Sequence, residues 1–249
     1  MDNNLPPTIN GINTYNEKSL HAALKQWYAG PSDLIETRVD GYIIDLVCGD
    51  QLVEIQTGSF SPLKRKLAAL VESHPVRLVF PIPLEKWILT LPIDGEGPTR
   101  RRKSPRRGRV EHVFAELVYI PALILSPNFS LEVLLTREEE VRRPVQKKRR
   151  RSKGWVTTER RLLEVVDRRV FHSADDLAAL LPAGLPSPFT VRELAAAMHQ
   201  PDWLARKAVY SLRGMGALQA TGKKGRATLY RRTDLSAGET CRTPVILDL

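Results

Sequence analysis

Two carboxylates, Asp45 and Glu54, stand on either side of a predicted tight turn and are the residues best placed to do chemistry. Two apolar segments flank Gly49-Asp50, and a two-residue turn that begins with glycine favours a β-hairpin. In that register Asp45 faces Glu54 directly, and strand alternation places Gln56 on the same face. Because directly opposed carboxylates repel each other, this pattern requires a divalent cation, a shared proton or solvent between them.

The neighbours of these carboxylates are mostly apolar, which indicates a hairpin that is buried on both sides. The segments concerned are residues 41–47 (GYIIDLV) and 52–55 (LVEI). Buried carboxylate oxygens suit Mg²⁺ or Mn²⁺, so the sequence predicts that Asp45 and Glu54 bind one of these cations. The alternative is an exposed acidic pair at one end of a sheet.

Asp45, followed after eight residues by Glu54-Ile55-Gln56 on a hairpin that precedes a helix, resembles the motif of the PD-(D/E)XK nuclease superfamily. The resemblance implies a restriction-endonuclease-like fold in which the aspartate and the glutamate bind the catalytic metal. The third motif residue is usually a lysine that positions or activates the attacking water, and here Gln56 stands in its place. Lys64 or Lys66, on the following helix, could supply the missing charge.

A further carboxylate, Glu17, lies near the start of a helix predicted at about residues 16–28. Leu20, Leu24 and Trp27 repeat at helical spacing, and Glu17 lies at the N-terminal end of this core-facing stripe. By resemblance to the resolvase-like members of the superfamily, Glu17 would assist the site through a second metal or a water. The alternative is a carboxylate that only stabilises the helix N-terminus through the helix dipole.

The remaining elements of residues 1–141 predict an α/β domain with a mixed sheet. A second helix is expected from Ser61-Pro62, with the serine as N-cap and the proline at the first helical position. Strands are expected at residues 76–80, 87–91 and 131–135, and a helix near residues 110–118.

The C-terminal part is predicted to be mostly helical, with helices at residues 158–170, 175–181, 191–199 and 201–215. Two strands, at 217–221 and 227–231, follow and are joined by a basic loop at 222–225. Residues 190–232 resemble the winged-helix family, and the predicted domain spans 154–235, with a tail at 236–249. By that resemblance the last helix and the wing would contact DNA through Arg206, Lys207, Tyr210, Arg213, Lys223, Lys224 and Arg226. A winged helix used for protein contacts is the alternative.

The chain of 249 residues carries a formal net charge of +10, and its basic residues are clustered at 100–109 and 142–153. Such clusters suit phosphate backbones, and the second one, which contains a proline and lacks apolar periodicity, predicts a linker between two domains. No signal peptide or membrane-spanning run is apparent, so a cytoplasmic location is expected. The two cysteines and five histidines lack the spacing of metal ligands.

These observations predict a divalent-metal-dependent DNA endonuclease with duplex DNA as its partner. A homodimer is possible, and neither a membrane nor a small-molecule cofactor is expected. The alternative is a non-catalytic DNA-binding regulator, or a subunit of an assembly, whose nuclease fold has degenerated. Gln56 is the residue that favours this alternative.

Overall fold

The computed structural model describes residues 19–92, 97–144 and 154–233. Its helices are α1 (Ser19–Tyr28), α2 (Lys64–Leu70), α3 (Phe114–Leu117), α4 (Ala174–Ala178), α5 (Val191–Met198) and α6 (Asp202–Gly214). Its strands are β1 (Leu34–Val39), β2 (Tyr42–Cys48), β3 (Gln51–Ile55), β4 (Val76–Thr90), β5 (Arg100–Lys103), β6 (Phe129–Pro144), β7 (Trp155–Phe171), β8 (Leu218–Lys224) and β9 (Ala227–Arg232).

Seven strands form one mixed sheet in the order β1-β2-β3-β4-β6-β7, with β5 pairing to β4. The first three strands are antiparallel neighbours, and the chain then crosses through α2 so that β4 runs parallel to β3. A second crossover, through α3, places β6 parallel to β4, and β7 returns antiparallel to β6. The predicted α/β class with a mixed sheet is therefore confirmed.

The hairpin of β2 and β3 has the register that the glycine-first turn predicts. Cys48 pairs with Gln51, and the next two pairs are Val47–Leu52 and Leu46–Val53. The next predicted pair, Asp45 with Glu54, is wrong, because the described ladder ends at Leu46–Val53.

An irregularity in the neighbouring strand explains why the ladder ends there. Glu36 has a positive φ of 50°, and within the described strands β1 and β2 the pairing passes from Ile35–Leu46 to Thr37–Ile44 without joining Glu36 to Asp45. Ile44 and Leu46 consequently pack into two different core clusters, although side chains two residues apart on a regular strand share a face. The strand changes face at Asp45.

The predicted helix at residues 158–170 is wrong, because these residues belong to the 17-residue strand β7. Apolar residues at helical spacing suggested the helix. The segment is also rich in valine and threonine, which favour strands, and pairing along the whole length of β6 decides the outcome. Strands β1 and β5 were not predicted, and the two strands predicted at 76–80 and 87–91 form the single strand β4, which has a bulge between Pro83 and Glu85.

Residues 142–144, at the start of the predicted linker 142–153, belong to strand β6. Strand β6 continues to Pro144, which pairs with Trp155 at the start of β7, and residues 145–153 lie outside the described part of the chain. A boundary between the sheet and the helices that follow therefore falls after Phe171. In the described residues the two parts share one continuous core cluster, which includes Phe114 and Leu117 of α3 and Leu204 and Leu212 of α6.

The C-terminal part contains α4, α5 and α6 followed by the antiparallel pair β8–β9. The predicted cap of α5 is confirmed, because Thr190 Oγ1 accepts a hydrogen bond from the Glu193 amide while Glu193 Oε2 accepts one from the Thr190 amide. Ser61 differs, since it begins a short 3₁₀ helix without a side-chain cap. The β8–β9 hairpin, at the position of the predicted wing, turns at Gly225-Arg226, so Lys223 and Lys224 lie in β8. No helix in the described residues is both long and apolar enough to cross a membrane.

Candidate functional site

The site on the hairpin is centred on Asp45, whose carboxylate replaces the missing ladder pair. Asp45 Oδ2 accepts a hydrogen bond of 2.8 Å from the backbone amide of Ile55, the residue after Glu54. The same oxygen lies 3.1 Å from Nε2 of His21 on α1. Asp45 is thus held between the first helix and the end of β3, at the point where β2 changes face.

Glu54 is the second carboxylate, and its side chain meets Lys66 of α2. Lys66 Nζ donates to Glu54 Oε2 at 2.6 Å and to the backbone oxygen of Ile43. Burial and the negative charge of Asp45 raise the pKa of Glu54 to about 7, although Lys66 and His21 act to lower it. Two carboxylates and one ammonium therefore share a buried site, and the sequence prediction of a migrated lysine agrees with the position of Lys66.

Gln56 and Glu17 do not join this group in the described structure. The Gln56 side chain donates to the backbone oxygen of Ser59 at 2.6 Å, so it braces the turn after β3 and is not directed at the carboxylates. Glu17 lies outside the described residues. Sequence reasoning missed His21, although His21 follows Glu17 by four residues and therefore lies on the same face of a helix.

The donor set of this site fits a hard divalent cation. Asp45 and Glu54 offer carboxylate oxygens, which Mg²⁺ and Mn²⁺ prefer, and water or phosphate oxygens would complete the coordination. Within residues 19–92, 97–144 and 154–233, no three His, Cys, Asp or Glu side chains are arranged to hold a metal ion. The two predicted ligands, Asp45 and Glu54, are the residues that would hold it.

The predicted recognition helix α6 presents an exposed stripe that alternates aromatic and basic side chains. Trp203, Arg206, Tyr210 and Arg213 follow one another at three- and four-residue spacing and are all exposed. Lys207 differs, because its Nζ donates to the backbone oxygen of Ala115 at 2.6 Å and lies over the rings of Tyr119 and Trp203. Lys207 therefore anchors α6 to α3, and Trp203 extends the predicted stripe in its place.

The β8–β9 hairpin, the predicted wing, places three basic side chains, Lys223, Lys224 and Arg226, in exposed positions. Lys224 also lies 3.3 Å from Glu193 at the start of α5, which ties the hairpin to that helix. Because this pair is exposed, it contributes little to stability and leaves Lys224 accessible. Cationic side chains thus occur on both α6 and the hairpin.

Only part of the basic run at residues 100–109 is paired with glutamates, which the sequence analysis did not use. Arg101 contacts Glu139, and Lys103 and Arg107 both contact Glu85. Strand β6 contributes most of the buried carboxylates, and the signal that could have revealed them is the run Glu138-Glu139-Glu140 within a strand of apolar residues. Buried carboxylates need cationic partners, which the neighbouring strands supply.

Comparison with known proteins assigns the chain to a family. Residues 18–172 match the model of the domain of unknown function DUF8091. The chain belongs to this family. It is also 32% identical over 225 residues to a protein described as an "Uncharacterized protein" of Treponema pallidum (strain Nichols), in an alignment that covers 89% of this chain and 87% of the relative. No solved structure matches the chain.

The DUF8091 segment covers α1 and the whole seven-stranded sheet. It ends one residue after Phe171, the last residue of β7, and it contains His21, Asp45, Glu54 and Lys66. The stripe on α6 and the β8–β9 hairpin lie beyond it. The carboxylate site is therefore part of the DUF8091 domain itself, whereas α6 and the β8–β9 hairpin belong to the segment that follows.

Proposed function

We propose that this protein is a divalent-metal-dependent DNA nuclease that hydrolyses phosphodiesters at the Asp45–Glu54 site. The observation that carries the proposal is Lys66, whose ammonium lies 2.6 Å from Glu54 on the helix after the hairpin. The resemblance to PD-(D/E)XK nucleases requires a lysine beside the two carboxylates, and Lys66 restores this charge although Gln56 stands at the usual position. The order of hairpin, helix and parallel strand supports the same proposal.

In this proposal each residue has a separate task at the reacting phosphodiester. Asp45 and Glu54 would hold Mg²⁺ or Mn²⁺, which supplies Lewis acidity and lowers the pKa of a bound water. Lys66 would leave Glu54 when the cation binds and place its ammonium against the developing negative charge. His21 holds Asp45 Oδ2 and so orients this carboxylate from α1. Glu17, which lies outside the described residues, would assist through a second metal or a water.

The C-terminal part would deliver the site to duplex DNA as a winged helix. The exposed stripe of α6, including Arg206, Tyr210 and Arg213, would enter the major groove, and the wing would contact the backbone through Lys223, Lys224 and Arg226. Interleaved aromatic and cationic side chains support a nucleic-acid surface, since rings stack on bases and cations bind phosphates.

A cleavage assay tests the nuclease proposal. Purified protein is incubated with supercoiled plasmid and with linear duplex, in Mg²⁺, in Mn²⁺ and in a chelator. We expect metal-dependent cleavage that is abolished in Asp45→Asn, in Glu54→Gln and in Lys66→Met. Arg65→Met is the matched control, because Arg65 is exposed on the same helix and should leave cleavage unchanged. Cleavage that persists in Asp45→Asn would overturn the assignment.

A second function, a non-catalytic DNA-binding regulator, is favoured by one observation. Both carboxylates of the site have partners within the protein. Lys66 pairs with Glu54, and the backbone amide of Ile55 donates a hydrogen bond to Asp45. A degenerate nuclease would keep such an arrangement for stability alone. Duplex binding that is equal with metal and with chelator, together with no cleavage under either condition, would select this function.

A further inference from the structure

A cavity of about 330 Å³ opens beside the candidate site, where strand β3 ends. Its floor is the apolar segment 80–83 of β4, and Thr57, three residues after Glu54, lies at one side. Three residues of extended chain span about 10 Å. The cavity and the carboxylates are therefore close enough for neighbouring nucleotides of one strand to occupy both.

The wall of this cavity is built by a close approach between two segments. The Gly108 amide donates to the Pro83 oxygen at 2.9 Å, beside the bulge of β4. A Cβ atom at Gly108 would lie only 2.4 Å from that oxygen, so only glycine allows the segment to pack here. On the other side, Arg160 Nη1 donates to the Thr57 oxygen at 3.1 Å and ties β7 to the end of β3. The cavity is thus held by defined contacts.

The rim of the cavity is cationic, with Lys86, Arg106, Arg107 and Arg160 among its lining residues. Several of these cations share their carboxylate partners with other cations. Glu85 forms ion pairs with Lys103, Arg107 and Arg137, and Glu140 forms ion pairs with Lys86 and Arg142. Arg137 also contacts Glu164, so three carboxylates face these five cations. A positive excess remains, and exposed Arg106 adds to it, while Glu116 is the one carboxylate among the lining residues of the cavity.

The pKa values of these two carboxyls agree with this excess of positive charge. Hydrogen bonds from Lys103 and Arg107 lower the pKa of Glu85 to about 2. Burial acts to raise the pKa of Glu140, but hydrogen bonds from Arg142, Lys86 and Thr157 lower it to about 2. Both carboxylates stay ionised at neutral pH and offset two of the cations, and the cations that remain in excess attract an anion.

We propose that this cavity binds one nucleotide of a single DNA strand, with the base on the floor at residues 80–83 and the phosphate at Arg106 and Arg107. This inference rests on the proposed function, which places a phosphodiester at Asp45 and Glu54. The volume lies at the low end for small-ligand sites, so it accommodates one nucleotide and not a duplex. A paired base cannot reach an apolar floor, whereas an unpaired base can leave the stack and pack there.

Binding measured without cleavage tests the inference. Asp45→Asn protein in chelator is titrated with a fluorescent thymidine oligomer of about ten nucleotides and with a duplex. We expect Arg106→Glu to weaken oligomer binding by about tenfold or more and to leave duplex binding near its original value. Arg38→Glu is the matched control, because Arg38 is an exposed arginine on β1, three strands away from β4, and should change neither.

A second measurement locates the base directly. An oligomer that carries 5-iodouracil is cross-linked by light, and the modified peptide is identified by mass spectrometry. We expect the cross-link at Phe80, the aromatic residue of the floor. Cross-links confined to Trp203 or Tyr210, unchanged oligomer binding in Arg106→Glu, or binding of thymidine monophosphate without binding of the oligomer would each overturn the inference.

The two proposals fail in distinguishable ways. If metal-dependent cleavage occurs but Arg106→Glu binds the oligomer normally, the cavity is not the nucleotide site and the nuclease proposal stands. If Arg106→Glu loses oligomer binding but no variant or wild-type protein cleaves DNA, the cavity is supported and the nuclease proposal fails.

Discussion

Lys66 Nζ lies 2.6 Å from Glu54 Oε2, although the two residues are separated by twelve positions and belong to a helix and a strand. Glu54 is only 8% exposed, so its charge has little access to water. Burial and the nearby charge of Asp45 raise the pKa of Glu54 to about 7, against the attraction of Lys66. Because this carboxyl titrates near neutral pH, both the free energy of unfolding and the binding of a metal at the candidate site should depend on pH.

The first prediction concerns the pH dependence of stability. The pKa of Glu54 rises from 4.5 in the unfolded chain to about 7 in the folded protein. Between these values the folded state holds the extra proton, so the free energy of unfolding falls as pH rises from about 5 to 8. The expected loss is about 3 kcal/mol at most. Chemical denaturation at several pH values measures it, and Glu54→Gln should flatten the profile. A profile of Glu54→Gln that still falls like the wild type would assign the effect to other groups.

The second prediction concerns metal binding. A cation held by Asp45 and Glu54 binds only the folded protein, so Mn²⁺ should raise the thermal midpoint, by an amount equivalent to about 3 kcal/mol at a hundredfold excess over Kd. The rise should be larger at pH 8 than at pH 6, because Glu54 must lose its proton to bind the cation. Differential scanning calorimetry with and without Mn²⁺ checks this. Asp45→Asn should remove the rise, and an equal rise in Asp45→Asn would place the cation elsewhere.

The register of the β2–β3 hairpin could be predicted because the turn and the residues it pairs are close together in the sequence. The Gly49-Asp50 turn determines the register of three pairs, and that register brings Asp45 near Glu54. The sequence could not show that the ladder ends before Asp45, since this depends on the left-handed conformation of Glu36 in another strand. It also named Lys66 only as one of two candidates, because the rotation of α2 over the hairpin is set by packing.

Long-range pairing explains the largest error in the predicted fold. Leu162, Val165 and Val166 fit a helical stripe within residues 158–170, and periodicity over so short a segment does not decide between helix and strand. The deciding partners are the buried glutamates of β6. In the sequence they are separated from β7 by a basic segment, although the two strands are paired in the fold. The same basic segment suggested a linker, because nothing in its composition indicates that the strands before and after it, β6 and β7, pair with each other.

The third prediction concerns duplex binding by α6. If the exposed stripe enters a groove, Arg206→Glu and Arg213→Glu should each lower the affinity for duplex DNA and reduce its salt dependence by about one counterion per lost phosphate contact. Fluorescence anisotropy at several salt concentrations measures both effects. A duplex affinity that is unchanged in the double variant would favour a protein-binding role for this surface.

The fourth prediction separates Lys207 from that stripe. Its Nζ donates to the Ala115 oxygen and lies near two aromatic rings, so its charge serves the packing of α6 on α3. We expect Lys207→Met to lower the free energy of unfolding by about 2 kcal/mol through the lost charged hydrogen bond. The salt dependence of duplex binding should stay as in the wild type. A reduced salt dependence with unchanged stability would show that Lys207 contacts phosphate after all.

The last prediction tests the position of β7 through a buried ion pair. Glu138 of β6 is fully buried, accepts from Arg160 Nη2 at 2.8 Å and also accepts from the hydroxyl of Thr136. Arg160→Met leaves this carboxylate without its cation, which should cost about 3–5 kcal/mol. The double variant Arg160→Met, Glu138→Gln should recover much of the loss, because no buried charge is left uncompensated.

The double-mutant comparison distinguishes this pairing from a general effect of substitution in β7. Urea denaturation of the wild type, both single variants and the double variant gives the coupling between Arg160 and Glu138. Arg168→Met is the control, because Arg168 is mostly exposed and lies 3.9 Å from its nearest carboxylate, Glu132; it should cost much less. If Arg160→Met were as mild as Arg168→Met, and the coupling were near zero, Arg160 could not contact Glu138 and the register that pairs Arg160 with Glu140 would be wrong.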